Sequence, residues 1–404
     1  MPGPRVLVVI LAGGAGGRLE LLTRSRAKPA MPFGGVYRLI DFPLSNCLHS
    51  GLSNVWVIEQ FNPVSLTDHL ANGRPWDLDR THGGLLVLHP RLGEGRDGWH
   101  RGTADALWRN AALIGELEPD VVVVLSADAV YRLNYADVVA RHLESGADVT
   151  MVTTRVAAED AGRYGVARVE DGRVTDYAYK PEEPASDLVT NEVFAFRPAR
   201  LLALLEELAG QDDGEGLRDL GHAVLPRLVG EGTAREHRFD GYWRDVGTVD
   251  SYWSAHMDLL GDEPAIDLDD RRWPIYSADP QRSAARVRRE ATVVDSLLSP
   301  GVRVAGVVER SVLAPGVVVE RSAVVRDSVV LHDTVIESGA RIERAVVDAR
   351  VTVGAGAVIG GPAAGMTDPG AGITLVGLGA KVPAGAELGP GARFPEDGEE
   401  PAER

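Results

Sequence analysis

The chain has 404 residues, 44% of them apolar, and a net charge of −17. At roughly 150 residues per domain, this length predicts two or three domains, and the apolar share is too high for a disordered chain. The acidic balance argues against nucleic acid as a general partner and against binding to an anionic membrane surface. The single cysteine, Cys47, excludes an intrachain disulfide and a cysteine-based zinc site, and it fits a reducing, cytoplasmic compartment.

The first 260 residues alternate apolar runs with amphipathic stretches. Strands are predicted for 6–11, 55–58, 85–88, 121–125, 149–153, 165–169, 173–178 and 188–196. Helices are predicted for 104–117, 136–145, 201–208 and 217–228, with Thr103 and Asn134 as N-caps of the first two. This alternation predicts an α/β domain at 1–260, with a mostly parallel sheet and helices on both faces. The first strand runs directly into glycines and is interpreted as a buried strand rather than a signal peptide.

A different pattern follows an aperiodic stretch at 261–289, which is predicted to be a linker. Apolar residues recur every six positions, with one slip of five, at Val312, Val318, Val324, Val330, Ile336, Ile342, Val347, Val353 and Ile359. A period of six is typical of a parallel β-helix, in which each face of a triangular coil contributes one inward residue. We expect a β-helix at 290–390 with about three coils, at roughly 18 residues per coil. Residues 391–404 are acidic and predicted to be a disordered tail.

Basic residues are distributed unevenly. Only three of the 42 are lysine, namely Lys28, Lys180 and Lys381, and two of these precede a proline. A lysine retained among arginines is a candidate for a role that needs a compact point charge. The first 50 residues hold six basic and two acidic side chains, although the whole protein is acidic. This local excess indicates a pocket for a small polyanion such as a nucleotide or a sugar phosphate.

Two features of the α/β region indicate phosphate chemistry. The first strand leads into Gly13-Gly14 and Arg18, and glycines in this position let backbone N–H groups approach phosphates. The spacing fits neither a dinucleotide fingerprint nor a Walker loop. Asp128 ends the run 121–128, just beyond a predicted strand, where a carboxylate of an open α/β sheet can hold Mg²⁺ together with substrate phosphates. Asp245 is a second candidate carboxylate.

Several longer motifs resemble one family. They read LAGGAGGRL at 11–19, RAKPA at 26–30, PFGG at 32–35, YRLIDFPLSN at 37–46, RGTADA at 101–106 and YWRDVGT at 242–248. This set closely resembles ADP-glucose pyrophosphorylase, the glucose-1-phosphate adenylyltransferase family, from residue 6 to about 360. The resemblance implies a nucleotidyltransferase domain followed by a left-handed β-helix, and transfer of the adenylyl group of ATP to glucose 1-phosphate for α-glucan synthesis. It also implies a homotetramer.

The resemblance implies roles for individual residues. Arg18 and the glycine loop would cradle the ATP phosphates, Lys28 would neutralise the departing pyrophosphate, and Asp128 and Asp245 would hold Mg²⁺. Lys180 would bind the phosphate of glucose 1-phosphate, with Tyr179 and Glu192 beside the sugar. The residues expected at the nucleotide are Leu11, Ala12, Gly13, Gly14, Gln60, Gly102, Thr103 and Asp105.

The chain departs from the family pattern at four places. Ala127-Asp128-Ala129 replaces Gly-Asp-His, Tyr179 replaces a Glu before Lys180, and Thr190-Asn191-Glu192 replaces Ser-Met-Gly. We therefore predict that Glu192 supplies the carboxylate for sugar hydroxyls that the residue before Lys180 no longer supplies. Ser25 replaces a lysine that contacts the activator in some members, so the family's allosteric activation by fructose 1,6-bisphosphate is not expected in its usual form.

Three alternatives remain open. The chemistry could be kept with another sugar such as glucosamine 1-phosphate, because the sugar-side residues have changed. The chain could be a catalytically weakened regulatory subunit, although Arg18, Lys28, Asp128, Lys180 and Asp245 are all present. A β-helix acyltransferase with His332 as its base is the third; we interpret His332 instead as a solvated loop residue.

Overall fold

The computed structural model describes residues 3–14, 16–90, 98–211, 217–278, 281–362 and 372–395. The chain divides into two compact units. Unit 1 comprises Met1–Gly14 and Phe42–Trp243, and unit 2 comprises Ala15–Asp41 and Arg244–Arg404. The domain limits that we predicted, 1–260 and 290–390, stay predictions. The two units divide the chain at other positions, because residues 15–41 and 244–260 group with the C-terminal half. In the described part of the chain, no helix is long and apolar enough to cross a bilayer.

Unit 1 is built on one nine-stranded sheet. Its strands are β1 (Val6–Ala12), β2 (Asn54–Glu59), β3 (Gly84–Leu88), β4 (Val121–Ser126), β5 (Val149–Arg155), β6 (Gly165–Glu170), β7 (Arg173–Tyr179), β8 (Leu188–Phe196) and β9 (Ala234–Arg238). They are hydrogen-bonded in the order β3-β2-β1-β4-β8-β5-β9-β7-β6. Only β7 and β8 run against the other strands, so the predicted mostly parallel sheet is confirmed. The apolar runs of β1 and β4 are buried because both are inner strands.

Helices α1 to α7 belong to unit 1, apart from the first residue of α1. They are α1 (Asp41–His49), α2 (Pro63–Leu70), α3 (Thr103–Arg109), α4 (Ala111–Leu117), α5 (Tyr135–Ser145), α6 (Pro198–Ala209) and α7 (Leu220–Gly230). Asn134 caps α5 as predicted, accepting a hydrogen bond from Ala136 N at 3.1 Å. The predicted helix 104–117 is two helices that meet at Asn110. The prediction of Thr103 as its N-cap is wrong, since Gly102 holds that position.

The C-terminal part of unit 2 is a parallel β-helix with three sheets of six strands. The first sheet contains Arg286–Val287, Arg303–Val304, Val318–Val319, Val335–Ile336, Thr352–Val353 and Lys381–Val382. The second contains Thr292–Val294, Val307–Glu309, Val324–Arg326, Arg341–Glu343, Val358–Gly360 and Glu387–Leu388. The third contains Leu297–Leu298, Val312–Leu313, Val329–Val330, Ala345–Val347, Thr374–Val376 and Arg393–Phe394.

The β-helix is longer than predicted. Six strands in each sheet correspond to six coils rather than three, because the coils before 312 and after 359 lack the regular spacing of large apolar residues. Strand Arg286–Val287 lies within the predicted linker, and strand Arg393–Phe394 lies within the predicted disordered tail. The predicted β-helix was therefore too short at both ends. The rest of the predicted tail, 396–404, lies outside the described residues.

The six-residue period is confirmed, but its phase shifts by one position in the first three predicted residues. The buried core uses Leu313, Val319 and Val325, whereas Val318 and Val324 are half-buried neighbours. From Val330 onward the predicted residues are the core residues. Each of these strands carries two adjacent apolar residues, so either phase was compatible with the spacing.

The rest of unit 2 consists of short elements. These are the 3₁₀ turns Gly17–Thr23 and Lys28–Ala30, the strands Pro32–Phe33 and Tyr37–Arg38, and α8 (Val249–Met257). Thr248 and Ser251 form a capping box at the start of α8. The short strand Trp243–Asp245 contains the division between the units, and two further short elements of unit 1 are strand Ala129–Tyr131 and turn Ala161–Arg163.

Candidate active site

The carboxyl ends of three adjacent strands form one edge of the unit 1 sheet. The register pairs Ala12 of β1 with Glu59 of β2, and Leu11 with Ser126 of β4. The glycine loop that follows Leu11 and Ala12 therefore begins beside the ends of β2 and β4. Because the chain order reverses at β1 in a sheet of this kind, this edge is where α/β proteins bind ligands.

Gln60 follows β2 at this edge and is held by a backbone segment. Its side-chain Nε2 donates to His100 O at 3.1 Å, and its Oε1 accepts from His100 N at 2.7 Å. A Cβ built on Gly13 would lie 3.8 Å from the Gln60 Cβ. The structure thus brings together the predicted nucleotide residues Gly13 and Gln60 and the segment that leads into α3.

The predicted residues Gly102, Thr103 and Asp105 are engaged in contacts within unit 1. A Cβ on Gly102 would lie 1.9 Å from Arg218 O, so only glycine fits there. Thr103 donates from its backbone N to Asp219 Oδ1 at 3.2 Å. The Asp105 carboxylate accepts from Arg101 N at 2.9 Å, and it also accepts from Arg109 Nε at 2.8 Å. These contacts fix the shape of the segment beside Gln60.

Asp128 lies two residues beyond β4, at the same edge of the sheet. The Ser126 hydroxyl donates to its Oδ1. The side chain is half-buried, so the carboxylate is oriented but not sealed from solvent. This position suits a carboxylate that meets a cation or a substrate phosphate.

Lys180 follows β7 and has an exposed side chain. Its backbone takes a positive φ of 50°, its N donates to Tyr164 O at 2.9 Å, and its Nζ lies 4.7 Å from the centre of the Tyr179 ring. The Tyr179 ring itself packs on α7, since a Cβ on Gly221 would overlap it at 2.2 Å. Burial raises the pKa of the Tyr179 phenol, and the nearby Glu192 carboxylate raises it further.

Glu192 lies in an irregular part of β8, where the pairing with β5 shifts between Thr190 and Phe194. Its φ is 60°, a conformation that glycine adopts most easily. The strand lies in the middle of the nine-stranded sheet rather than at its edge, so Glu192 is not exposed along a free strand edge. The half-buried carboxylate is close enough to Tyr177 and Tyr179 to raise the pKa of both phenols, although burial is the larger cause.

Unit 2 brings together the other three predicted residues. Lys28 Nζ lies 3.7 Å from Asp245 Oδ1, and both side chains are largely buried. A Cβ on Gly247 would lie 2.8 Å from Asp245 Oδ2 and 3.2 Å from Arg18 Nη2. The Arg18 guanidinium therefore lies beside the same glycine as the Asp245 carboxylate. Two cations and one carboxylate in this arrangement suit a polyanionic substrate.

The predicted magnesium ligands are two carboxylates, Asp128 and Asp245. Among the described residues, no group of three or more histidine, cysteine, aspartate or glutamate side chains could hold a metal ion. Mg²⁺ does not need such a cage, because it commonly takes one or two carboxylates and completes its shell with waters and substrate phosphates. Asp128 of unit 1 and Asp245 of unit 2 are oxygen donors of this kind, so each carboxylate, taken by itself, has the chemistry that the ion needs.

The interpretation of His332 as a solvated residue is wrong. Its side chain is half-buried, and burial lowers its pKa to about 3, with Arg38, Arg26 and Arg282 contributing further. A histidine in this environment stays neutral and is a weak base, which also argues against the acyltransferase alternative.

Sequence reasoning missed several residues that hold or flank the candidate site. Asp219 contacts Thr103, which is more than a hundred residues away in the chain. Arg26, two positions before Lys28, donates from Nη2 to Oδ1 of the buried Asp348 at 2.7 Å. Such long-range pairs leave no local signal.

The fold and the residues described above define a nucleotidyltransferase. The family model for nucleotidyl transferase matches residues 7–262, which is more than half of the chain. The model for a GlmU-like C-terminal hexapeptide region matches residues 280–366, and it accords with a β-helix of the left-handed class. The order of the two matches follows the sequence prediction of a nucleotidyltransferase domain followed by a β-helix.

Relatives of the same name are similar over most of the chain. The glucose-1-phosphate adenylyltransferase of Thermomicrobium roseum is 46% identical over 95% of this chain and 91% of that protein. Those of Pseudothermotoga lettingae and Clostridium acetobutylicum are 40% and 39% identical, covering 95% and 80% of this chain and 93% and 86% of their own length. The chain belongs to the glucose-1-phosphate adenylyltransferase family.

Proposed function

We propose that this protein transfers the adenylyl group of ATP to glucose 1-phosphate, giving ADP-glucose and pyrophosphate for glycogen or other α-glucan synthesis. The observation that carries the proposal is the 46% identity with a glucose-1-phosphate adenylyltransferase over 95% of the chain. The positions of Arg18 beside Gly247 and of Lys28 beside Asp245 support it, because phosphoryl transfer from ATP needs cations at the phosphates.

The reaction is a direct displacement at phosphorus. A phosphate oxygen of glucose 1-phosphate forms a bond to the α-phosphorus of ATP, and the bond from that phosphorus to the bridging oxygen of pyrophosphate breaks. No covalent bond to the protein is required. The contribution of the protein is to position the two substrates in line and to stabilise charge as pyrophosphate departs.

Each cationic side chain has one proposed role. The backbone N–H groups of the glycine loop and the Arg18 guanidinium bind the ATP phosphates. Lys28 neutralises the pyrophosphate as charge develops on it, and Lys180 binds the phosphate of glucose 1-phosphate. The short spacing between Lys28 and Asp245 supports the first lysine assignment, because it holds the ammonium group among the phosphate-binding residues.

Asp128 and Asp245 are proposed to bind Mg²⁺. When bound, the ion would withdraw charge from the phosphate oxygens and so favour displacement. The Ser126 hydroxyl orients Asp128, and the Lys28 ammonium compensates the charge of Asp245. Both carboxylates are thus kept in a defined position by their neighbours.

Glu192 favours glucosamine 1-phosphate as a second candidate sugar. A half-buried carboxylate that faces two tyrosines could accept from a sugar hydroxyl or pair with a sugar ammonium group. The proposal of a weakened regulatory subunit has no such support, since every predicted phosphate and metal residue is present.

We further propose a cytoplasmic homotetramer. The tetramer rests on the resemblance to the family, and the location rests on the single, buried cysteine, which fits a reducing compartment. Allosteric control is proposed to differ from activation by fructose 1,6-bisphosphate of the usual kind, because Ser25 stands at the position of the activator lysine. Sedimentation velocity tests the tetramer, and a panel of phosphorylated metabolites tests the effectors.

Product analysis tests the proposed reaction. The purified protein is incubated with ATP, glucose 1-phosphate and Mg²⁺, and ADP-glucose and pyrophosphate should form in equal amounts. Labelled pyrophosphate should not exchange into ATP when glucose 1-phosphate is omitted, because no adenylyl-enzyme forms. Exchange without the sugar phosphate would contradict direct displacement, and absence of ADP-glucose would contradict the proposed function.

A further inference from the structure

Glu20 has a strained backbone in the turn that carries Arg18. It interrupts the 3₁₀ turn Gly17–Thr23 with a φ of 53° and a ψ of −123°, a combination that residues other than glycine rarely adopt. Backbone strain of this kind persists only where the surrounding contacts outweigh it, and it concentrates at functional sites. Contacts made by the rest of unit 2 must therefore hold Glu20 in this conformation.

The Glu20 carboxylate is bound by Arg393, which lies in the last coil of the β-helix. Nε of Arg393 donates to one carboxylate oxygen, and Nη2 donates to the other, Oε1, at 3.0 Å. The third guanidinium nitrogen, Nη1, donates to Ile373 O at 2.7 Å and to Gly391 O at 3.0 Å. A forked pair of this kind fixes orientation as well as distance. The last coil therefore presents to Glu20 a guanidinium that its own backbone holds in place.

Leu21, the next residue of the turn, contacts the same end of the β-helix. A Cβ built on Gly377 would lie 3.4 Å from Leu21 Cδ1, and Leu21 is buried. Gly377 directly follows strand Thr374–Val376, which pairs with strand Arg393–Phe394. Two consecutive side chains thus fasten the turn to two neighbouring strands of the β-helix.

The start of the same turn carries a residue proposed to bind phosphate. Arg18 precedes Glu20 by two residues, and its Nη2 would lie 3.2 Å from a Cβ on Gly247, beside the Asp245 carboxylate. Arg18 is exposed, so little packing holds its side chain. The backbone of the turn therefore determines where the Arg18 guanidinium can reach.

We propose that the Glu20–Arg393 pair positions Arg18 for the ATP phosphates, so that the last coil of the β-helix supports ATP binding. Glu20 and Arg393 are positioning residues, which act through Arg18 rather than on the substrate. This inference rests on the proposed function, which assigns the ATP phosphates to Arg18. Without the pair, the Glu20 backbone relaxes towards an ordinary conformation and the Arg18 guanidinium moves away from Asp245.

Arg393→Gln removes the pair and leaves the Arg18 side chain intact. The kcat/KM for ATP should fall roughly three- to tenfold, because a small displacement of a positioned group weakens its contact in the transition state. The KM for glucose 1-phosphate should change less than twofold. The Tm should change little, since the paired side chains are 33% and 41% exposed and exposed pairs add little stability.

Two further variants separate the pair from the charge of Arg393 alone. Glu20→Gln should reproduce the loss seen with Arg393→Gln, because each variant breaks the same pair. Arg393→Lys keeps the charge but lacks the fork, so it should recover only part of the kcat/KM for ATP. Full activity in Glu20→Gln would overturn the proposal.

Arg326 provides the matched control. It is also an exposed arginine of the β-helix whose Nε donates to a glutamate, Glu309, at 2.6 Å. Arg326→Gln breaks that pair and should leave the kcat/KM for ATP unchanged. A loss as large as that of Arg393→Gln would show that any broken pair of the β-helix has this effect, and it would overturn the proposal.

A double-mutant cycle tests whether the pair acts through Arg18. Arg18→Gln lowers the kcat/KM for ATP by itself, and adding Arg393→Gln should lower it less than twofold further, because the group to be positioned is already gone. A full additional loss in the double variant would show that Arg393 acts independently of Arg18 and would overturn the proposal.

Hydrogen exchange tests the proposal without relying on activity. The backbone amides of Gly17–Thr23 should exchange faster in Arg393→Gln than in the unmodified protein, and Arg326→Gln should leave their exchange unchanged. Unchanged exchange in Arg393→Gln, or an unchanged kcat/KM for ATP, would overturn the inference and leave the proposed function intact. Absence of ADP-glucose from the unmodified protein would overturn the proposed function and with it the role in ATP binding.

Discussion

Lys28 and Asp245 form an ion pair in unit 2, with 3.7 Å between Nζ and Oδ1 and side chains that are 8% and 18% exposed. The pair keeps a lysine ammonium and a carboxylate charged in a place with little solvent. Both groups have a proposed partner in the loaded enzyme, pyrophosphate for the lysine and Mg²⁺ for the aspartate. The pair therefore keeps the two charged groups in position before the substrates and Mg²⁺ bind.

Replacing the candidate metal ligands should abolish turnover without unfolding the protein. Asp245→Asn and Asp128→Asn each remove a charge that Mg²⁺ requires, and we expect kcat to fall by orders of magnitude. Asp262→Asn, an exposed acid outside the site, is the control and should keep full activity. Near-normal turnover at saturating Mg²⁺ in either variant would remove that residue from the metal site.

Lys180 should act on one substrate only. Lys180→Gln loses a charged contact to the sugar phosphate, worth about 1.5–3 kcal/mol, which is on the order of a tenfold to hundredfold rise in the KM for glucose 1-phosphate. Lys180→Arg should also be impaired, because a planar fork does not replace a point charge. Lys381→Gln, at an exposed position, is the control and should leave the KM for glucose 1-phosphate unchanged. Equal effects on the ATP and glucose 1-phosphate KM values would refute the assignment.

Glu192 should influence the choice of sugar. Glu192→Gln keeps the size of the side chain but loses the charge and one acceptor oxygen, so the KM for glucose 1-phosphate should rise severalfold and the KM for ATP should stay the same. The preference between glucose and glucosamine 1-phosphates should also shift. Glu170→Gln, on an exposed position of the same sheet, is the matched control. An unchanged sugar ratio and an unchanged KM would show that Tyr179 or a water binds the ring.

Acid should destabilise both units through buried histidines. Burial lowers the pKa of His142 in unit 1 and of His256 in unit 2 to about 4, from 6.5. The unfolded chain then binds more protons than the folded one between these values, so stability is fully present above pH 6.5 and is lost as the pH falls towards 4. The loss is on the order of 3 kcal/mol per histidine.

Urea titrations from pH 8 to pH 4.5 measure this loss. The unfolding free energy should fall below pH 6.5, and His256→Gln should flatten the slope in that window, while above pH 7.5 it should change stability by a constant amount. His256 Nε2 accepts from Gly34 N at 3.2 Å, which requires the neutral ring. A slope that is the same in both proteins would show that the fold does not lower the pKa of His256.

The sequence was enough to predict those elements whose pattern of apolar residues follows from burial alone. The buried inner strands β1 and β4 follow from apolar runs, and the β-helix follows from its period. The break between α3 and α4 was not predictable, because Asn110 is compatible with a helix interior and ends one here. The phase of the early coils was equally ambiguous, since each strand offers two adjacent valines or a valine and a leucine.

The candidate site was predictable where residues belong to motifs and unpredictable where distant segments meet. Lys28 and Asp245 came from separate motifs, and the structure pairs them. Thr103 was expected as a cap, but Asp219 accepts from its N–H, and no local pattern indicates that contact. The packing of Tyr179 on Gly221 is of the same kind, because α7 reaches β7 only in the folded sheet.

The central claim is tested most directly by initial rates of pyrophosphate release across a matrix of nucleotides and sugar 1-phosphates. The four common nucleoside triphosphates are combined with glucose, glucosamine, N-acetylglucosamine, galactose and mannose 1-phosphates at saturating Mg²⁺. ATP with glucose 1-phosphate should give the highest kcat/KM, and Asp245→Asn should remove that signal. A higher kcat/KM with another nucleotide, or with another sugar, would contradict the assignment of this chain as an enzyme that makes ADP-glucose.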